Sequence, residues 1–129
     1  MGYTLEFADS ELRDVTREDA VVRLRLAAAS VRDEGGERGW LTGVTLEMSA
    51  AALHGDAAHA VGRIAEAGLQ HDQRLLHRMD VPDTLVATLR HAVVTLALRL
   101  ANGTQFVIEG HALEARLADD ARFTPDLSC

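Results

Sequence analysis

The chain has 129 residues, of which 47% are apolar, 26% charged and only 4% aromatic, and its 20 acids face 13 basic residues, all arginine, for a formal net charge of −7. That length fits one domain over residues 1–129, and the balance of apolar to charged side chains excludes disordered, collagen-like and coiled-coil chains. The charges are spread evenly with no basic cluster, so neither nucleic acid nor an anionic membrane is an expected partner: both require concentrated positive charge.

Tyr3, Leu5 and Phe7 alternate with Thr4 and Glu6, which predicts a short strand. Residues 12–16 predict another, turning at Arg17-Glu18-Asp19 into Val-Arg-Leu-Arg-Leu over residues 22–26, where a period of two puts one face in a core and the other in water. Asp33-Glu34-Gly35-Gly36-Glu37-Arg38-Gly39 reads as a loop between elements. Val44, Leu46 and Met48 then mark an amphipathic strand.

Residues 57–79 are ambiguous. Val61, Ile64, Ala65, Gly68, Leu69, Leu75, Leu76 and Met79 recur at helical intervals, with Asp72 as a misfit, while Gly62 and Gly68 each disfavour a helix interior by about 1 kcal/mol. Val81-Pro82-Asp83-Thr84 ends that segment, and Asp83 or Thr84 could cap a short helix running to Arg90. Val94, Leu96, Leu98 and Leu100 predict a strand, Asn102-Gly103 a type I′ hairpin turn, and Phe106 and Ile108 the returning strand, which Leu113 and Leu117 continue less regularly. Residues 118–129 read as an irregular tail held by Phe123 and Leu127.

These elements predict a mainly β domain, an antiparallel sandwich or partly closed barrel of six to eight strands, with room for one helix from the middle segment. The alternative is an α+β sandwich in which residues 57–79 form a helix across one sheet face. Gly62-Arg63-Ile64-Ala65-Glu66, Leu98-Arg99-Leu100-Ala101-Asn102-Gly103 and Arg122-Phe123-Thr124 resemble parts of small uncharacterised bacterial proteins with a β-rich domain. The resemblance covers about a third of the chain; it implies strand in the middle segment and no particular activity.

No catalytic, cofactor-binding or metal-ligating set stands out. His54 and His59 are five residues apart, a poor spacing for two ligands on one helix face. His71-Asp72 is similar to the His-Asp pair of helical metal-dependent phosphohydrolases, with His54, His77 and Asp80 as conceivable further ligands, but strands at both ends of the chain argue against that architecture. Ser10, Ser30, Ser49 and Ser128 lack a nucleophile elbow, and Glu47, Glu66 and Glu109 fall in the solvent-facing set. Gly35-Gly36 is flanked by acids that would repel a phosphate. Cys129 has no internal partner for a disulfide. Trp40, the lone tryptophan, is expected in the core because aromatic burial dominates small-domain energetics; the other reading is an exposed recognition side chain.

The expected function is therefore a non-catalytic binding or protein-interaction domain of the bacterial cytosol, either self-associating as a homodimer or acting as an acidic inhibitor of a basic protein by charge complementarity. Cytosolic placement follows from the absence of a membrane-length apolar run and from Glu6 and Asp9 where a signal peptide would be apolar. One alternative is a carrier with an internal apolar pocket beside residues 27–29 and 50–52; another is a metal-dependent hydrolase using the histidines.

Overall fold

Alternating side chains settle the architecture as all-β. The computed structural model describes residues 2–88 and 92–126. Its strands are β1 (Tyr3–Glu18), β2 (Val21–Arg32), β3 (Arg38–Leu41), β4 (Val44–Ser49), β5 (Ala52–Gly55), β6 (Gly62–His71), β7 (Arg74–Leu76), β8 (Arg78–Val81), β9 (Asp83–Val86), β10 (Val94–Leu100), β11 (Gln105–Gly110), β12 (Ala112–Leu117) and β13 (Phe123–Pro125). All pairings are antiparallel, in the order β5-β11-β10-β6-β1-β2-β4-β12-β9, with β8 beside β1, β7 beside β6, and β3 joining β2 to β13. The path does not close into a barrel, and these thirteen described strands exceed the six to eight expected.

The inner faces share one apolar core. Leu5, Phe7, Leu12, Leu24, Leu46 and Met48 from the β1-β2-β4 side meet Ile64, Leu69, Leu96, Leu100 and Phe106 from β6, β10 and β11. The chain crosses between the two sides at paired corners: β4 with β12 and β5 with β11 keep one register on either side of residues 50–51 and 110–111. His111 N donates to Ser49 O at 2.9 Å there.

The helix considered for residues 57–79 is absent; the segment holds β6, β7 and the first half of β8. Its three-residue spacing comes from a bulge: Ile64 pairs with Leu100 and Glu66 with Arg99, so Ala65 is an extra residue that stretches the inward step from Ile64 to Ala67. Asp72, the misfit, turns the chain. Asp72 and Gln73 both take positive φ, 48° and 67°, the type I′ signature, between paired His71 and Arg74. The short helix from Asp83 is likewise replaced by β9, while Leu89 and Arg90 lie outside the described residues.

The hairpin at Asn102-Gly103 forms by a different turn. Only Gly103 of the pair has positive φ, 92°, and Gly103 N donates to Leu100 O at 2.9 Å, giving a three-residue loop closed by a glycine bulge rather than type I′. Residues after Gly110 do not extend β11; they reverse to the other side as β12. The tail is partly a strand, β13, and Phe123 stacks on Tyr3 at a centroid distance of 5.6 Å; Leu127 and Cys129 lie outside the described residues.

The two strands expected near the N-terminus are one, β1, interrupted by a large bulge. Glu6 pairs with Ser30 and Glu11 with Ala28, so four residues of β1 face one of β2, and Asp9 takes a φ of 71°. Ser10 repairs the ladder: its fully buried hydroxyl accepts from Ser30 N at 2.9 Å and donates to Glu6 O at 2.8 Å.

Candidate binding site

The bulge in β1 brings Asp9 and Glu11 beside β3 and the start of β6. Together with Ser30, Arg38, Gly39, Trp40, Arg63 and Asp126 they line an open depression of about 320 Å³. Arg38 and Trp40 are two apart on β3 and so project from one face, while Gly39 and Leu41 between and beyond them are buried. Trp40 is 37% exposed. The expectation of a core tryptophan therefore fails, because the alternation of β3 assigns the inward positions to Gly39 and Leu41.

Gly39 fixes the platform. A Cβ there would collide with the backbone oxygen of Thr124 and with the Phe123 ring at 2.6 Å, so only glycine lets β13 lie this close to β3. β3 is laddered on both edges, Trp40 pairing with Ser30 on one side and Thr124 on the other. The indole is thus held on a two-sided ladder rather than on a loose loop.

The polar groups of the depression are unevenly satisfied. Arg63 Nη1 contacts Asp9 Oδ1 at 3.2 Å, an exposed ion pair. Among the described residues neither Glu11 nor Arg38 joins an ion pair. Ser30, the cross-strand neighbour of Trp40, is only 6% exposed; its N–H is taken by Ser10, and its hydroxyl has no hydrogen bond among the described residues while not being sealed from solvent.

A second depression, about 510 Å³, crosses the outer face of β6, β10 and β11, floored by Gly68, Ala97 and Val107 and overhung by exposed Leu75. Its charged and imidazole groups are already paired: Arg99 Nη2 meets Glu66 Oε2 at 3.0 Å, and His77 Nδ1 bonds Ala67 O at 3.1 Å. A third, about 410 Å³, surrounds Glu47. Glu47 Oε1 accepts from Arg23 Nε at 2.5 Å and Oε2 from Arg116 Nη1 at 2.6 Å. Desolvation pushes the Glu47 carboxyl up, but the hydrogen bonds of Arg116 and Arg23 outweigh it and hold the group below the ordinary glutamate value. All three depressions open at the surface rather than lying enclosed in the core.

Three of the described histidines, His54, His71 and His77, are engaged locally. His54 Nε2 lies 3.0 Å from Glu109 Oε1, and His71 Nε2 lies 2.8 Å from Val86 O and 3.3 Å from Asp72 Oδ2. The Thr88 hydroxyl donates to Asp72 Oδ2 at 2.8 Å, the largest of the influences that keep the Asp72 carboxyl below the ordinary aspartate value. His71-Asp72 thus latches the β6-β7 turn to the end of β9 and the chain just after it. No group of three or more potential metal ligands gathers among the described residues. None of the described helices, of which there are none, supplies a membrane-length apolar span.

Composition hid the depression, because Asp9, Ser30, Arg38 and Arg63 meet only through the β1 bulge together with the pairing of β2 with β3 and of β1 with β6. The one signal in the sequence was local: Arg38 and Trp40 share a parity opposite to Leu41. No protein-family model matches the chain, and no curated protein or solved structure is significantly similar to it.

Proposed function

We propose that the chain is a non-catalytic binding domain of the bacterial cytosol that recognises its target through the Trp40 depression. The observation that carries this reading is an exposed indole on a doubly laddered strand, ringed by a hydroxyl, a carboxylate and a guanidinium with no partner among the described residues. An aromatic surface combined with open hydrogen-bonding groups is the composition of recognition sites, in which tryptophan and arginine contribute a disproportionate share of affinity. Nothing in the depression sets a nucleophile against a base: the paired histidines hydrogen-bond elsewhere.

The test is a binding screen of immobilised wild type against Trp40→Ala, with peptides, metabolites and saccharides as probes. The reading predicts at least one probe retained by wild type, lost by the variant, and recovered chemically unchanged. Failure of every probe to distinguish two equally folded proteins, or turnover of a retained probe, would contradict it.

A second reading, a protein partner with a basic surface, is favoured by the net charge of −7. It predicts association that weakens steeply with added salt, measured by surface plasmon resonance.

A further inference from the structure

We infer that the ligand of the Trp40 depression is a saccharide, its ring stacked on the indole and its hydroxyls bonded to Ser30, Glu11 and Arg38. This inference rests on the reading of the depression as the binding site and adds the chemical class of what it takes. It follows by elimination from the charges on the wall. A lone anion would meet Glu11, Asp9 and Asp126, and a lone cation, though drawn to those carboxylates, would meet the guanidinium groups of Arg38 and Arg63. A wholly apolar ligand would leave the guanidinium and carboxylate desolvated and unpaired. A neutral ring bearing several hydroxyls meets neither repulsion nor that penalty.

The positive argument is the matching of groups. Each sugar hydroxyl both donates and accepts, and the depression offers a donor in Arg38, an acceptor in Glu11 and a group that does both in Ser30. Ser30 carries particular weight: it is only 6% exposed yet lines the depression, and no hydrogen bond within the described residues occupies its hydroxyl. The apolar C–H face of a pyranose is flat and packs on an exposed indole, which the 37% exposure of Trp40 makes available. A volume of about 320 Å³ is at the small end of ligand sites, suited to a short saccharide rather than a large cofactor.

The experiment is isothermal titration of the whole chain with glucose, galactose, mannose and N-acetylglucosamine and their di- and trisaccharides. Glycine, arginine and inorganic phosphate serve as the zwitterionic, cationic and anionic arms. At least one saccharide is expected to bind saturably, with affinity at least about tenfold weaker in Trp40→Ala and about three- to tenfold weaker in Ser30→Ala, each variant first shown to melt cooperatively. Saccharide binding that survives Trp40→Ala unchanged would overturn the inference. If only a charged arm binds, and in a Trp40-dependent manner, the saccharide assignment falls while the binding-domain reading stands. If no saccharide, charged arm or peptide binds in a Trp40-dependent manner, both fall.

Discussion

Ser10 shows how one hydroxyl holds an irregular strand in place. Four residues of β1 stand against one of β2, which would leave Ser30 N–H without a ladder partner inside the protein, and Ser10 fills that role at 2.9 Å while returning its own proton to Glu6 O. Ser10→Ala removes both bonds from a site with no water access, so it is expected to destabilise the fold by about 1–3 kcal/mol, read from urea denaturation. A loss below a few tenths of a kcal/mol would show that the bulge is held by packing alone. Trp40 is the opposite case. Because Trp40 is partly exposed rather than in the core, Trp40→Ala is expected to change stability by less than about 1 kcal/mol in the same assay while abolishing ligand binding. A lone tryptophan usually goes to the core of a small domain; the parity of β3 overrides that tendency, since Gly39 must lie inward to admit β13.

At the scale of elements, the strands with an undisturbed period of two were legible: β4, β10 and β11 follow directly from their alternation, as does the Val22–Leu26 stretch of β2. The elements that were not legible are those carrying bulges. One extra residue at Ala65 turned the inward spacing of β6 from two to three and so imitated a helix, and the longer bulge in β1 made one strand read as two. A bulge is specified by pairing with a distant strand, which local periodicity does not contain.

Gly39→Ala drives a methyl group into the backbone oxygen of Thr124 and the ring of Phe123, so β13 is expected to detach from β3, seen as lost amide protection in hydrogen exchange over residues 123–125. Unaltered protection there would contradict the close packing. Glu47 lies between Arg23 on β2 and Arg116 on β12 with its side chain 12% exposed, bridging three strands. Its carboxyl is held below the ordinary value of 4.5 in the folded state, so its contribution is complete above that value and disappears as pH falls through the lower, folded one. Glu47→Gln is expected to cost about 1 kcal/mol at pH 7, the difference from wild type shrinking as denaturation is repeated at progressively lower pH below 4.5. A difference that stays constant with pH would show that the bridge contributes nothing.

Across the whole molecule, sequence-distant pairing dominates. β1 borders β2, β6 and β8, and β12 returns to β4. That topology needs long loops to close before the ladders are rewarded, so folding is expected in the millisecond-to-second range typical of such β proteins, by stopped-flow fluorescence. It also explains the site: Glu11 of β1, Trp40 of β3 and Arg63 of β6 are far apart in sequence and meet where β1, paired with β2 along one edge, bulges as its other edge changes partner from β8 to β6. The class of fold was readable from alternation; the meeting point was not, because it is a property of the assembled sheet.

The binding site requires the indole of Trp40 to stand in solvent at the mouth of that depression, and the chain has one tryptophan to report on it. Acrylamide quenching of the native protein is the direct measurement. The structure predicts red-shifted emission and a quenching constant that is a substantial fraction of the value in urea. Blue-shifted emission that acrylamide barely quenches would mean a core tryptophan, and the site built around it would not exist.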